Sequence, residues 1–188
     1  SAFVVGEFYR TVALCQTGHI ERCAAGADAL IALCKPLGLS TITDWLGFFL
    51  SWTRISAGFG GDEALLEGLL QRADPFLVLN ARGLLAMSAI VDGDHPRASR
   101  AVQSLREGLP DTHAMRVSSI APEASVELFL GNAEGALALA ERGLVLTAEW
   151  MFPLATGSLH LTRTDALYRL GRAADAHRAA LRSRDALL

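Results

Sequence analysis

Apolar residues recur at three- and four-residue spacing through most of the chain, and the pattern breaks at short corners carrying glycine, proline or a polar cluster. That period is helical, because side chains three or four positions apart share one face of an α-helix. The breaks predict ten helices, over residues 2–17, 19–35, 42–57, 62–73, 75–91, 95–107, 112–130, 132–146, 151–170 and 172–187. Pro36 and Gly38 stop the second, since proline cannot continue a helix and glycine relaxes its end. Asp74-Pro75 opens the fifth with a capping oxygen and a residue whose missing N–H costs nothing in a first turn, and Asp94 with Pro96 repeats the device. Pro122 falls inside the seventh. Apolar spacing resumes at Val126, Phe129 and Leu130, so a single kinked helix is predicted there.

Five glycines, Gly18, Gly60, Gly93, Gly131 and Gly171, stand between one apolar helix and the next and divide the chain into comparable lengths. Such a recurrence marks a stacked array of helical hairpins. The fifth residue after each glycine is Cys23, Leu65, Ala98, Ala136 or Ala176, and the ninth is Ala27, Leu69, Val102, Ala140 or Ala180. All are small or apolar, so each post-glycine helix carries a seam on which another helix can lie closely. A lone hairpin would leave that seam in water, and its neighbour in the array offers the cover. The predicted fold is all-α: one domain over residues 1–188, a right-handed superhelix of about five antiparallel hairpins.

Composition agrees, since the strong helix formers Ala and Leu are the commonest residues and 51% of the chain is hydrophobic. Seventeen basic against 20 acidic residues leave a formal charge of −3, which disfavours nucleic acid as a partner. The longest stretch free of charge, Trp150 to Thr162, contains Pro153 and is too short to span a bilayer. The first residues lack the basic start of a secretory signal, and helical pattern at both ends reads as a piece of a longer protein. Three cysteines without a C-x-x-C fit a reducing, cytoplasmic setting, although Cys15 and Cys23 flank the Gly18 turn closely enough to approach.

Catalytic signatures are missing: no G-x-x-x-x-G-K-[ST], no H-E-x-x-H and no G-x-S-x-G. Gly58-Phe59-Gly60-Gly61 imitates a phosphate loop, but Glu63 stands where its third glycine belongs and no strand precedes it. His19, His95, His113, His160 and His177 have no helical-spacing partners, so neither a metal nor another cofactor is expected.

Leu167-Tyr168-Arg169-Leu170-Gly171-Arg172-Ala173-Ala174-Asp175-Ala176 and its continuation to Leu181 resemble the turn and second helix of a tetratricopeptide repeat, and Leu128 to Gly143 is similar. The period, near 40 against about 34 for the standard repeat, is a departure. It resembles the degenerate repeats in the C-terminal sensor regions of large ATP-dependent LuxR-type bacterial regulators, the group typified by the maltose-regulon activator, and of related cyclase-linked ATPases. The resemblance implies a tetratricopeptide-like α-solenoid: a non-catalytic segment that senses a small effector or assembles with a partner protein. A free-standing scaffold, the regulatory segment of a cyclase-linked ATPase, and a small helical enzyme using Glu123, Glu127 and His160 are the alternatives.

In such superhelices the first helix of each pair lines the concave wall, so its polar and aromatic residues are the candidate ligand or partner groove. Trp45, Phe48, Phe49 and Trp52 form a stripe at i, i+3, i+4 and i+7. Asn80 and Arg82 interrupt the next first helix, Arg116, Ser119, Glu123 and Glu127 stripe the following one, and His160, Arg163 and Thr164 the last. The competing readings are core packing for the aromatic stripe and a solvated face for each polar one. The basic run from Arg169 to Arg184 offers a contact for DNA or an acidic neighbour, but is expected on the outer face of a last helix that the next repeat of a longer protein would cover, and a homodimer through a terminal hairpin is also expected.

Overall fold

Helix-forming segments end where a residue must adopt the left-handed conformation, and glycine supplies it at three of the expected corners: Gly93 (φ 71°), Gly131 (φ 89°) and Gly171 (φ 72°). The computed structural model describes residues 2–17, 19–107, 113–148 and 153–187. These residues form α1 (Ala2–Gln16), α2 (Ile20–Cys34), α3 (Ser40–Ser56), α4 (Glu63–Leu69), α5 (Pro75–Val91), α6 (His95–Glu107), α7 (His113–Phe129), α8 (Ala133–Ala148), α9 (Pro153–Arg169) and α10 (Ala173–Leu187). A 3-10 turn, Lys35–Leu37, follows α2, and the described residues contain no strand. Pro122 lies within the single helix α7. The corner expected at Gly18 and the helix starts expected at 112 and 151 fall outside the described residues.

Each glycine corner is closed in the same way. At Gly131 the glycine N–H donates to the Leu128 carbonyl at 3.2 Å and Asn132 N–H to the Glu127 carbonyl at 2.9 Å; Gly93 and Gly171 repeat both bonds with Ile90 and Ala89, and with Tyr168 and Leu167. The second corner is not at Gly60 as the spacing suggested. Helix α3 ends at Ser56, which puts the left-handed position at Gly58 (φ 81°), and Phe59 N–H closes the corner on the Arg54 carbonyl at 2.9 Å. Gly61 has a different use: a Cβ there would sit 2.9 Å from Ile55 Cδ1. The glycine run thus stops a helix and admits a close contact.

Helix starts carry side-chain caps, at Asp74 and Asp94 as the sequence advertised, and at Asn132, which was expected inside its helix. Asp74 Oδ1 accepts from the N–H groups of Phe76 (2.9 Å) and Leu77 (3.1 Å), Asp94 Oδ1 from Arg97 (2.9 Å), and Asn132 Oδ1 from Gly135 (3.0 Å). Helix α4 is shorter than expected. Its last turn tightens into i→i+3 bonds from Leu70, Gln71 and Arg72 to Glu67, Gly68 and Leu69, and the chain then leaves helix ahead of the Asp74 cap.

The chain divides into two compact units, Ser1–Leu84 and Leu85–Leu188, with the boundary inside α5. In the first, α1 packs on α2, α2 on α3 and α1 on α3 around Val4, Ala27, Leu30, Cys34 and Leu46. In the second, α7, α8 and α9 pack in the same order and α10 pairs with α9. Its core joins Leu128, Ala136 and Leu137 to Ala166 and Leu167, with a neighbouring cluster of Ile120, Ala121, Ala124, Ala140 and Leu159. The small-residue seam is what permits this closeness: Ala136 and Ala140 are fully buried, and a Cβ on Gly143 would stand 2.8 Å from both δ-carbons of Leu159. The seam fails at one point, for Ala180 is exposed, and at Leu65 it is half-covered, its neighbour Leu66 being fully buried in its place.

Candidate ligand-binding site

The residues expected to line a groove are distributed between the two units and meet different neighbours. In the first unit the aromatic stripe of α3 is tied into packing. Trp45 meets Phe48 edge-on at 5.5 Å and lies 6.0 Å from both Phe49 and Phe76, while Phe49 contacts Phe48 (5.3 Å), Trp52 (6.1 Å) and Phe8 (6.3 Å). Offset and edge-on pairs at these separations add to burial energy, so the stripe joins α1, α3 and the start of α5. Phe48 is buried, and Trp45, Phe49 and Trp52 are half-buried. Asn80 turns back on its own helix, its Nδ2 donating to the Phe76 carbonyl at 2.8 Å, and Arg82 is half-buried beyond it.

Cysteine chemistry is no better placed in this unit. Cys15, Cys23 and Cys34 are all free thiols. Cys15 Sγ is 2.6 Å from Thr53 Oγ1, and burial, only partly offset by that hydrogen bond, pushes its thiol up to about 11. A thiol in that range supplies almost no thiolate at neutral pH.

In the second unit Glu123 and Glu127 are held by a residue that the sequence pattern did not single out. Arg106, at the end of α6, reaches Glu123 Oε2 at 3.3 Å and Glu127 Oε1 at 2.7 Å, and Asn132 Nδ2 donates to Glu127 Oε2 at 2.8 Å. Glu123 is buried and Glu127 nearly so. One arginine shared by two carboxylates locks α6 to α7; it leaves neither carboxylate free to shuttle protons. Burial alone would raise the Glu127 carboxyl, but the hydrogen bonds from Arg106 and Asn132, with the guanidinium charge, hold it below the usual carboxylate range. A depressed folded value stabilises the protein above the ordinary carboxylate range, and that stability is lost as pH falls through the folded value. Urea midpoints measured from pH 7 down to 3 should therefore fall more steeply in the wild type than in Glu127→Gln, by about 1 kcal/mol given the exposure of Arg106. Parallel curves would mean that the ion pair contributes nothing. Arg116 is half-buried one turn before Ser119, whose hydroxyl donates to the Arg116 carbonyl at 3.2 Å.

His160 and Arg163 lie on α9 beside a group of arginines. The Gly171 corner folds α10 back on α9, so residues equally far on either side of it come together. Arg163 and Leu167 of α9 thus face Asp175, Arg178, Ala179 and Arg182 of α10, with Arg172 at the corner, around a pocket of about 110 Å³. Four guanidiniums and one carboxylate line it, and two of the four are paired there: Asp175 meets Arg172 at 2.8 Å and also Arg178. Arg163 Nη2 also meets Glu141 Oε1 of α8, at 3.4 Å. Burial first, then the charges of Arg163 and Arg182, push the His160 imidazole below its usual range, which leaves the ring neutral at pH 7. Arg163 Nε and His160 Nδ1 are buried without a hydrogen-bond partner among the described residues. Cross-corner symmetry was the available signal for this pocket; the basic run alone read as an outer face awaiting a further repeat.

Among the described residues no group of three or more His, Cys, Asp or Glu side chains converges as a metal site, and no helix is long and apolar enough to cross a membrane. No protein-family model matches the chain, and no curated protein or solved structure is significantly similar to it.

Proposed function

We propose that the chain is a non-catalytic binding module of tetratricopeptide-like hairpins in a right-handed stack, serving in the cytoplasm as the sensor or assembly segment of a LuxR-type bacterial transcriptional regulator. The observation that carries the reading is the packing order. In each unit the first helix of a hairpin touches both its own partner and the first helix of the next, α1 with α2 and α3, and α7 with α8 and α9. Stacked hairpins need that order, and the left-handed glycines Gly93, Gly131 and Gly171 mark its recurrence along the chain.

An effector would use the arginine pocket beside His160 and Arg163, where four guanidiniums stand around a single carboxylate. Guanidinium forks match the planar or tetrahedral oxygens of carboxylate and phosphate, and a volume of about 110 Å³ suits one such group. The rest of an effector would lie outside the pocket, along α9. Thermal-shift screening against sugars, nucleotides and peptides tests the module as a sensor, because a ligand that binds only the folded state raises the melting point. An anionic ligand should raise it for the wild type and fail to do so for Arg163→Gln. If no class of ligand stabilises the protein, or if Arg163→Gln responds equally, the sensor reading fails.

A further inference from the structure

The arginine pocket between α9 and α10 has a carboxylate of its own. Asp175 holds Arg172 at 2.8 Å and also meets Arg178, while Arg163, across the hairpin, meets Glu141 of α8 at 3.4 Å. Four guanidiniums thus stand against two carboxylates, which leaves two positive charges in and beside a space of about 110 Å³. Arg163 Nε is buried without a hydrogen-bond acceptor among the described residues, so that side chain keeps unused donor capacity.

The pocket lies on the side of the last hairpin that is turned to its predecessor. Leu167 and Ala179 belong to one cluster with Ala136 and Leu137 of α8, and Glu141 stands at the α8 side. A further hairpin would use another face. In α8 it is Ala133, Ala136 and Ala140 that receive α9, and their counterparts one period on are Ala173, Ala176 and Ala180, on the opposite side of α10 from Asp175, Arg178 and Arg182. Stacking of another repeat therefore leaves the arginines open.

Charge and oxygen count decide what fits. A carboxylate brings one charge and two oxygens in a plane, which is what Asp175 already supplies, tethered to α10 and so at high effective concentration. A free carboxylate gains little by competing with it. A phosphate monoester offers three terminal oxygens and, above its second ionisation at about pH 6, close to two negative charges. It can accept from Arg163 on one helix and from Arg178 and Arg182 on the other, and it balances the charge left over. A phosphodiester, with one charge and two free oxygens, is no better than the carboxylate.

We infer that the pocket takes the terminal phosphate of a small phosphomonoester, with Asp175 as the resident competitor that turns carboxylates and phosphodiesters away. The inference rests on the sensor reading and names the class of effector for the same site.

Melting of the full chain at pH 8 and constant ionic strength, titrated with methyl phosphate, dimethyl phosphate or acetate, tests it. Methyl phosphate should raise the midpoint with an apparent affinity at least about tenfold above that of the other two. Arg178→Gln should lose most of that response. Asp175→Asn should bind methyl phosphate more tightly and also admit acetate, because the tethered carboxylate is gone. Unchanged far-UV circular dichroism shows that the fold is kept, and Asp175→Ser stands in if it changes. Acetate or dimethyl phosphate acting on the wild type as strongly as methyl phosphate overturns the inference and leaves a general anion sensor. Weaker phosphate binding by Asp175→Asn overturns the role of Asp175 as competitor. A wild type that ignores all three probes but is stabilised by a neutral sugar or a peptide overturns phosphate recognition while the sensor reading stands; silence towards every class removes both.

Discussion

Leu159→Ala is expected to lower the unfolding free energy by about 2–5 kcal/mol, the range for emptying a well-packed leucine site. The upper part of that range is the reasonable expectation here. Leu159 is fully buried against Ile120, Ala121, Ala124 and Ala140, and alanines have no side chain long enough to lean into the space it leaves. Its δ-carbons also lie where a Cβ on Gly143 would stand, so Gly143→Ala should be destabilising in the wild type and much less so in Leu159→Ala. Urea denaturation of the four proteins of that cycle gives the coupling directly. Leu161→Ala, two residues along and exposed, is the control and should shift stability by about 0.5 kcal/mol or less. Equal midpoints for Leu159→Ala and Leu161→Ala would show that α9 does not sit on α7 and α8 as described.

Ala136→Phe should cost about 1–3 kcal/mol by the opposite mechanism. Ala136 is fully buried within the cluster of Leu128, Ala166, Leu167 and Ala176, so a ring there must displace those neighbours. Ala138, two positions on, is exposed, and Ala138→Phe should be nearly neutral. Thermal melts of the pair separate a close helical contact from a general intolerance of α8 to aromatics. Neutral behaviour at position 136 would mean that the seam is loosely packed.

Helix limits were legible because their determinants are local. Asp74-Pro75 and Asp94 cap through bonds to residues two or three positions ahead, and Gly93, Gly131 and Gly171 close corners with bonds to residues three to five positions behind. Gly60 misled for a related reason. Gly58 and Gly60 both suit a left-handed position, and only the end of α3 at Ser56 decides between them. Candidate binding residues were less legible, since their use depends on partners far along the chain. Glu123 and Glu127 looked like a free polar stripe until Arg106, at the far end of another helix, was found between them. Trp45 could not be assigned to a groove or to packing without Phe76, which reaches it from α5. The arginine pocket needs both arms of a hairpin, and a reading of α10 alone saw an outward basic face.

The interval between Gly131 and Gly171, with alike residue classes at matched offsets on both sides, has an evolutionary corollary. Unequal crossing-over between two such stretches of gene inserts or removes one whole period and always brings a compatible pair of surfaces into register. Lineages can thereby change length in a single genetic event without assembling a new interior, whereas a one- or two-residue indel inside α8 or α9 rotates every following side chain of that helix away from its mate.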